Sequence, residues 1–236
     1  MTNRPVKPLL LDLLRESQNS QNAFFAQLPA GELAAVGAPD FWAAKDHVAH
    51  MSFYRRRWAT RLQATLEQGP QPEAVDFEQL NPVIFLEQRD RSWPDILSES
   101  DEIYAELIRV TEQLAEDDLT IADRFDWMPR GEPLYLMYMG NSYDHAQNHL
   151  AQYLLDRHEP ERAIETFEAW ARRVTDSPLP DLLRGYIYYN QSCFYATHEQ
   201  LEKARPALRQ AFELYPYTRE FARTDPDLDS LRPIDF

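Results

Sequence analysis

Four of the six histidines lie in two short windows, His47 and His50 in WAAKDHVAHM (42–51) and His145 and His149 in YDHAQNHLAQY (143–153). The other two are His158 and His198. On a helix, residues four apart project from one face with Cβ atoms about 5–6 Å apart, so His145 and His149 can share one divalent ion. By itself this pair reads equally well as two histidines on a polar helix face. A third ligand must come from elsewhere, and the earlier window supplies it if packing brings His50 opposite, since sites in helix bundles are built from facing helices. Three imidazoles without a carboxylate would leave coordination positions open to water or substrate, as in catalytic rather than structural sites.

Such a site needs rigid elements to hold it. Leu10, Leu11, Leu14, Phe24, Phe25 and Leu28 recur at near-helical spacing and predict a first helix over 8–28. The stretch 42–66 has neither Gly nor Pro, and at 1.5 Å per residue it can cross a whole domain. Residues 76–90 read as one or two short helical pieces around Pro82. SWPD then opens a stronger helix, with Ser92 as N-cap and Pro94 in the first turn, running to about Ala115. The fourth long segment runs from Pro133 to about Arg157, with Leu136, Met139, Tyr143, Leu150 and Leu154 as its apolar stripe. Four long helices with one long crossover predict a four-helix bundle.

Composition agrees with an all-α chain. Only 6 glycines occur in 236 residues, where average usage of about 7% would give roughly 17, so the glycine-rich turns of all-β folds are scarce. The 24 Lys+Arg against 39 Asp+Glu leave a net charge of −15, which repels phosphate backbones and anionic lipid. Nucleic acid and membrane are therefore excluded as expected partners. No stretch approaches 18 consecutive apolar residues, and Asp12 and Arg15 interrupt the apolar run that a secretory signal would need. The reading is a soluble, cytoplasmic protein. A single cysteine, Cys193, rules out an internal disulfide; it is expected to pack as a small hydrophobe and is given no chemistry.

Beyond HEPER the composition changes. Residues 160–176, 180–198 and the segment ending at Pro216 predict three further helices. Counted back from Pro216, Tyr188, Ser192, Tyr195, Ala204, Leu208 and Ala211 match the alternation of large and small residues in a tetratricopeptide repeat. The expected organisation is thus a bundle over 1–157 and a small tetratricopeptide-like unit over 158–236.

The segment FWAAKDHVAHMSFY (41–54) resembles the second helix of the DinB/YfiT-like four-helix bundles, where W-x-x-K-D-x-x-A-H ends in a metal-binding histidine. GNSYDHAQNHLAQY (140–153) resembles their fourth helix with its H-x-x-x-H, while DFEQLN (76–81) and RSWPDIL (91–97) resemble the ClbS/DfsB branch. The resemblance spans roughly residues 6–157. It implies an up-down-down-up bundle that binds Ni, Zn, Mn or Fe through His50, His145 and His149. It also implies a metal-dependent hydrolase, or a transferase using low-molecular-weight thiols, that acts on a small electrophilic molecule in detoxification or self-protection.

The motif selects His50 and leaves His47 as a neighbour of the site or a surface residue, with ligation in place of His50 as the alternative. Asp46 and Asp144 adjoin the ligands in sequence and point about 100° away on a helix, which assigns them to solvated surface. Lys45 is likewise read as a surface residue. Tyr138, Tyr143 and Trp127 are read as core rather than as pocket lining. A metal-bound histidine normally donates its other ring nitrogen to a carboxylate or carbonyl, so such a partner is expected, unidentified in sequence. The expected partners are a small-molecule substrate at the bundle and a peptide or protein at 158–236, with a homodimer as a further assembly. The competing reading is a non-catalytic scaffold in which a metal closed by a fourth protein ligand staples the bundle.

Overall fold

A computed structural model describes residues 5–234. The regular elements among the described residues are all helical. The chain divides into two compact units, Pro5–Thr166 and a second beginning at Phe167.

The first unit holds α1 (Val6–Phe25), α2 (Ala30–Ala34), α3 (Ala44–Leu66), α4 (Phe77–Gln88), α5 (Trp93–Gln113) and α6 (Glu116–Thr120). It continues with α7 (Leu134–Tyr138), which passes through one π-helical turn, Met139–Tyr143, directly into α8 (Asp144–Leu155). Helices α5 and α8 each pack against both α1 and α3, giving the ring order α1, α5, α3, α8.

Residue pairs fix the directions. Lys7 Nζ donates to the Leu114 carbonyl (2.8 Å) and Gln18 Nε2 to Asp101 (2.7 Å), so α1 and α5 are antiparallel. Lys45 Nζ reaches the Arg91 carbonyl (3.2 Å) just ahead of α5, and Arg56 Nη2 reaches Glu99 (2.7 Å), so α3 and α5 run parallel. His47 meets His149 while Trp58 packs edge-on to Tyr138, so α3 opposes α8. This is the expected up-down-down-up bundle. Its core is aliphatic and aromatic, with Leu10, Leu14, Leu62, Ile96, Ile103, Leu107 and Leu150 buried.

Local chemistry sets the helix starts. Ser92 Oγ accepts from the Asp95 amide (3.3 Å) and donates to its carboxylate (2.6 Å), with Pro94 in the first turn, which caps α5 as the sequence predicts. At α3 the residue before the helix is Ala43, which has no capping oxygen. Asp46 reaches back instead, accepting from the amides of Ala43 (2.9 Å) and Gly37 (3.1 Å). Only glycine fits at 37, since a Cβ there would stand 2.1 Å from Asp46 Oδ2 and 2.6 Å from the Ala43 nitrogen.

The expected short pieces around Pro82 form a single helix, α4, because Pro82 removes one amide from the ladder without ending it.

Helix α9 (Pro160–Thr175) spans the boundary between the units and is followed by α10 (Asp181–Thr197), α11 (Leu201–Leu214), α12 (Thr218–Ala222) and a 3₁₀ turn, Pro226–Leu231. In the second unit α10 and α11 form an antiparallel pair. Ser192 Oγ donates to the Ala204 carbonyl (3.0 Å), and Gly185 lies so close to Tyr215 that a Cβ would approach it to 2.6 Å. Phe167 stacks on Phe194 at 3.9 Å. Among the described residues no helix is long and apolar enough to cross a membrane.

Candidate metal centre

Helix α3 carries His47 and His50 one turn apart, and the antiparallel α8 brings His145 and His149 to meet them. His145 Nε2 lies 3.1 Å from His50 Nε2 and 3.0 Å from His149 Nε2. One nitrogen from each of His50, His145 and His149 lies within 4.8 Å of the others. For bonds near 2.1 Å, two ligands at right angles on one ion stand about 3.0 Å apart and two at the tetrahedral angle about 3.4 Å apart, so the cluster needs little adjustment to take an ion.

The donor chemistry leads to the same conclusion. A neutral imidazole carries one N–H and one lone pair, so converging Nε2 atoms cannot all satisfy one another by hydrogen bonding, whereas a cation takes a lone pair from each. Burial keeps the rings neutral. It lowers the pKa of His50 to about 4, and burial together with the positive fields of His50 and Arg55 lowers that of His145 to about 3. His149 is also pushed well below its ordinary value, by burial first and then by its histidine neighbours.

His47 is fully buried, which corrects the surface alternative, and it stays outside the three-nitrogen cluster. Its Nδ1 lies 3.1 Å from His149 Nδ1. If His149 coordinates through Nε2, its proton must sit on Nδ1 and be donated to the lone pair of His47 Nδ1. In place of the expected carboxylate or carbonyl, the group facing the other nitrogen of His149 is thus the imidazole of His47. His50 Nδ1 has no partner, being enclosed by the rings of Trp42 and Tyr54 at 4.9 and 4.8 Å. Trp42 also stacks flat on His149 at 5.8 Å.

Three residues assigned to the surface are buried. Asp46 is the α3 cap, Asp144 lies in the bundle, and Lys45 places its ammonium on the carbonyls of Arg89 (2.6 Å) and Arg91 (3.2 Å). Proximity in sequence to a ligand turned none of them outward, since the ring of helices covers more of α3 and α8 than one face. Tyr138 and Tyr143 are core, as expected, and Tyr138 pairs its hydroxyl with Thr111 (2.9 Å). Trp127 packs against Trp58 and donates to Thr65 (3.1 Å).

Sequence reasoning expected a substrate at the bundle but did not identify the residues that line the cavity beside the cluster. It has a volume of about 460 Å³ and is lined by His50 and His145 together with Tyr54, Arg57, Trp58, Arg61, Asn81 and Asn141. Five of these, at 50, 54, 57, 58 and 61, form one stripe of α3, a helical spacing that the sequence already contains. A smaller cavity of about 270 Å³ reaches His47 and His149 from another side, past Asp40 and Asp156. Among the described residues no fourth side chain of histidine, cysteine or carboxylate type joins the cluster.

Comparison with known proteins places this geometry in context. The family model described as the DinB superfamily matches residues 13–154, which include both histidine windows. No curated protein and no solved structure matches the chain.

Proposed function

The chain belongs to the DinB superfamily, and on that premise we propose that it is a metal-dependent enzyme acting on a small electrophilic molecule, as a hydrolase or a thiol-dependent transferase. His50, His145 and His149 would hold the divalent ion, whether Ni, Zn, Mn or Fe. The single observation that carries the reading is the cavity of about 460 Å³ opening onto His50 and His145, because a metal that works on substrate needs a reachable coordination position. When bound, the ion would supply Lewis acidity toward a water or a thiol.

The chain's own residues do the rest. His47 orients His149, and Trp42 fixes the plane of that ring and covers one side of the cluster. Tyr54, whose hydroxyl donates to Asn81 (2.6 Å), braces the cavity wall. No serine or cysteine adjoins the cluster in sequence, so the reading assigns no covalent protein nucleophile.

The ClbS/DfsB-like branch is part of this proposal. So is a tetratricopeptide-like role for the second unit as a peptide-binding element, supported by the buried small residues Ser192, Ala204 and Ala211 between α10 and α11. A purely stapling metal is disfavoured by the cavity and by the lack of a fourth ligand among the described residues.

The test is a panel of thiol-conjugation and ester- or amide-hydrolysis assays on protein loaded with Mn, Ni, Zn or Fe, comparing the wild type with His149→Ala. A rate present only in the loaded wild type supports the enzyme. Equal rates in both proteins throughout would return the metal to a structural role.

A further inference from the structure

The protein carries a net charge of −15, yet the cavity beside the histidine cluster has two guanidinium groups and, among the described residues, no carboxylate in its wall. Arg57 and Arg61 follow one another by one turn of α3. Neither forms an ion pair among the described residues, although nearby Arg56 and Arg91 both pair with Glu99.

Both cations are held in place by neutral groups. Arg57 donates to the Glu73 carbonyl, and Arg61 reaches the Pro72 carbonyl (3.5 Å) while lying 5.3 Å over the Trp127 ring. Each guanidinium has five N–H donors, so donors remain after these contacts. Burial and the field of Arg57 together lower the pKa of Arg61, so the two charges repel across partly desolvated space. An anion between them would remove that repulsion and use the remaining donors, and the guanidinium fork fits the flat oxygen pair of a carboxylate or phosphate. The other opening to the cluster has the opposite polarity, being lined by Asp40 and Asp156.

We propose that this cavity is an oxyanion-recognition site. It takes an organic molecule whose carboxylate or phosphate is held by Arg57 and Arg61 while its far end lies at His50 and His145. The proposal rests on the metal-centre reading only for what the far end meets. Arg57 and Arg61 lie seven and eleven residues beyond His50, or about 10 and 16 Å along the helix axis, so the ligand is an extended molecule several bonds long rather than a bare inorganic ion. Trp58, between the two arginines on the same stripe, offers an apolar ring to the connecting chain.

The experiment uses the metal-free, full-length protein and three probes of one length: hexanoate, hexyl phosphate and the neutral hexanamide. Binding is followed by calorimetry and tryptophan fluorescence at low salt. The expected result is that at least one anion binds about tenfold or more tighter than hexanamide, and the preferred anion identifies the natural headgroup as carboxylate or phosphate. Arg57→Gln and Arg61→Gln should each weaken that anion about threefold or more, leave hexanamide unchanged and be partly rescued by lysine. Raising salt from about 20 to about 500 mM should weaken the anion in the wild type, a readout that needs no variant to fold.

Anion and amide binding equally, no probe binding, or binding insensitive to both salt and the arginine variants would overturn the proposal. His145→Ala separates the two readings: anion binding retained in a variant that has lost the metal leaves the oxyanion site standing, whatever becomes of the metal centre.

Discussion

His47 Nδ1 faces His149 Nδ1 at 3.1 Å, so if His149 holds an ion through Nε2, His47, outside the three-histidine cluster, would take the proton of its other nitrogen. We expect His47→Ala to weaken metal binding about 10–100-fold without abolishing it, the usual effect of losing a partner that orients a ligand. Competition against a chromophoric chelator measures this. An affinity equal to wild type would show that the two rings merely pack together.

Replacing a ligand should be more severe. His145→Ala removes the one imidazole whose Nε2 is close to both of the others, and stoichiometric metal binding should be lost. His198→Ala, in the second unit, should bind one ion like the wild type. Metal analysis after gel filtration distinguishes the two.

Acidification should destabilise the metal-free protein. The folded-state pKa values of His50 and His145 are lowered to about 4 and about 3, while the unfolded chain takes up protons near the ordinary value of 6.5. Between 6.5 and about 4 the unfolded state binds more protons, so stability is full above that window and falls as pH decreases through it. The slope is about 1.4 kcal/mol per pH unit for each such histidine. Urea midpoints from pH 7.5 to 4.5 check this, and His50→Ala should have a shallower slope.

Arg55 is fully buried, 3.8 Å over the Tyr104 ring, with one donor to Gln21 (3.1 Å) and with Nε and Nη1 lacking partners. An unpaired buried cation with unmatched donors is costly, so Arg55→Met should stabilise the bundle by about 1–2 kcal/mol. A lower urea midpoint for the variant would mean that the guanidinium has a partner of its own.

Gly37→Ala should have the opposite effect. The added methyl group would press on Asp46 Oδ2 and the Ala43 nitrogen, displacing the carboxylate that caps α3. A loss of about 1–3 kcal/mol is expected, together with weaker metal binding because His47 is the next residue. Unchanged melting temperature would show that the loop simply shifts.

The bundle was legible because its signals are local. Apolar periodicity, the Ser92 cap and uninterrupted helical runs each specify one element without knowledge of its neighbours. The clustering of three histidines was legible because His145 and His149 share a helix face and the motif around His50 carries its own spacing. What escaped depends on how helices meet. The burial of Lys45, Asp46 and Asp144 follows from carbonyls and amides supplied by other segments, and charge in the sequence does not reveal such partners. The contact between His47 and His149 crosses two helices. The Arg57–Arg61 stripe was present in the sequence, but a basic pair on a helix becomes a site only when a cavity forms over it.

The π-turn at Met139–Tyr143 can be understood as a phase setting. Such a turn holds one residue more than an α-turn, so the half of the helix after it is rotated by roughly 100° against the half before it. Leu134 and Tyr138 share one buried face ahead of the turn, while His145 and His149 face α3 after it. One continuous rod thus serves two registers, the first for cohesion and the second for the histidine cluster. Were the same residues wound as continuous α-helix, the registers would merge and both imidazoles would swing away from His50, whereas deleting one residue between 139 and 143 would leave an ordinary α-turn with both halves facing as before. The aim of the cluster is therefore held in the winding of this one turn rather than in any side chain.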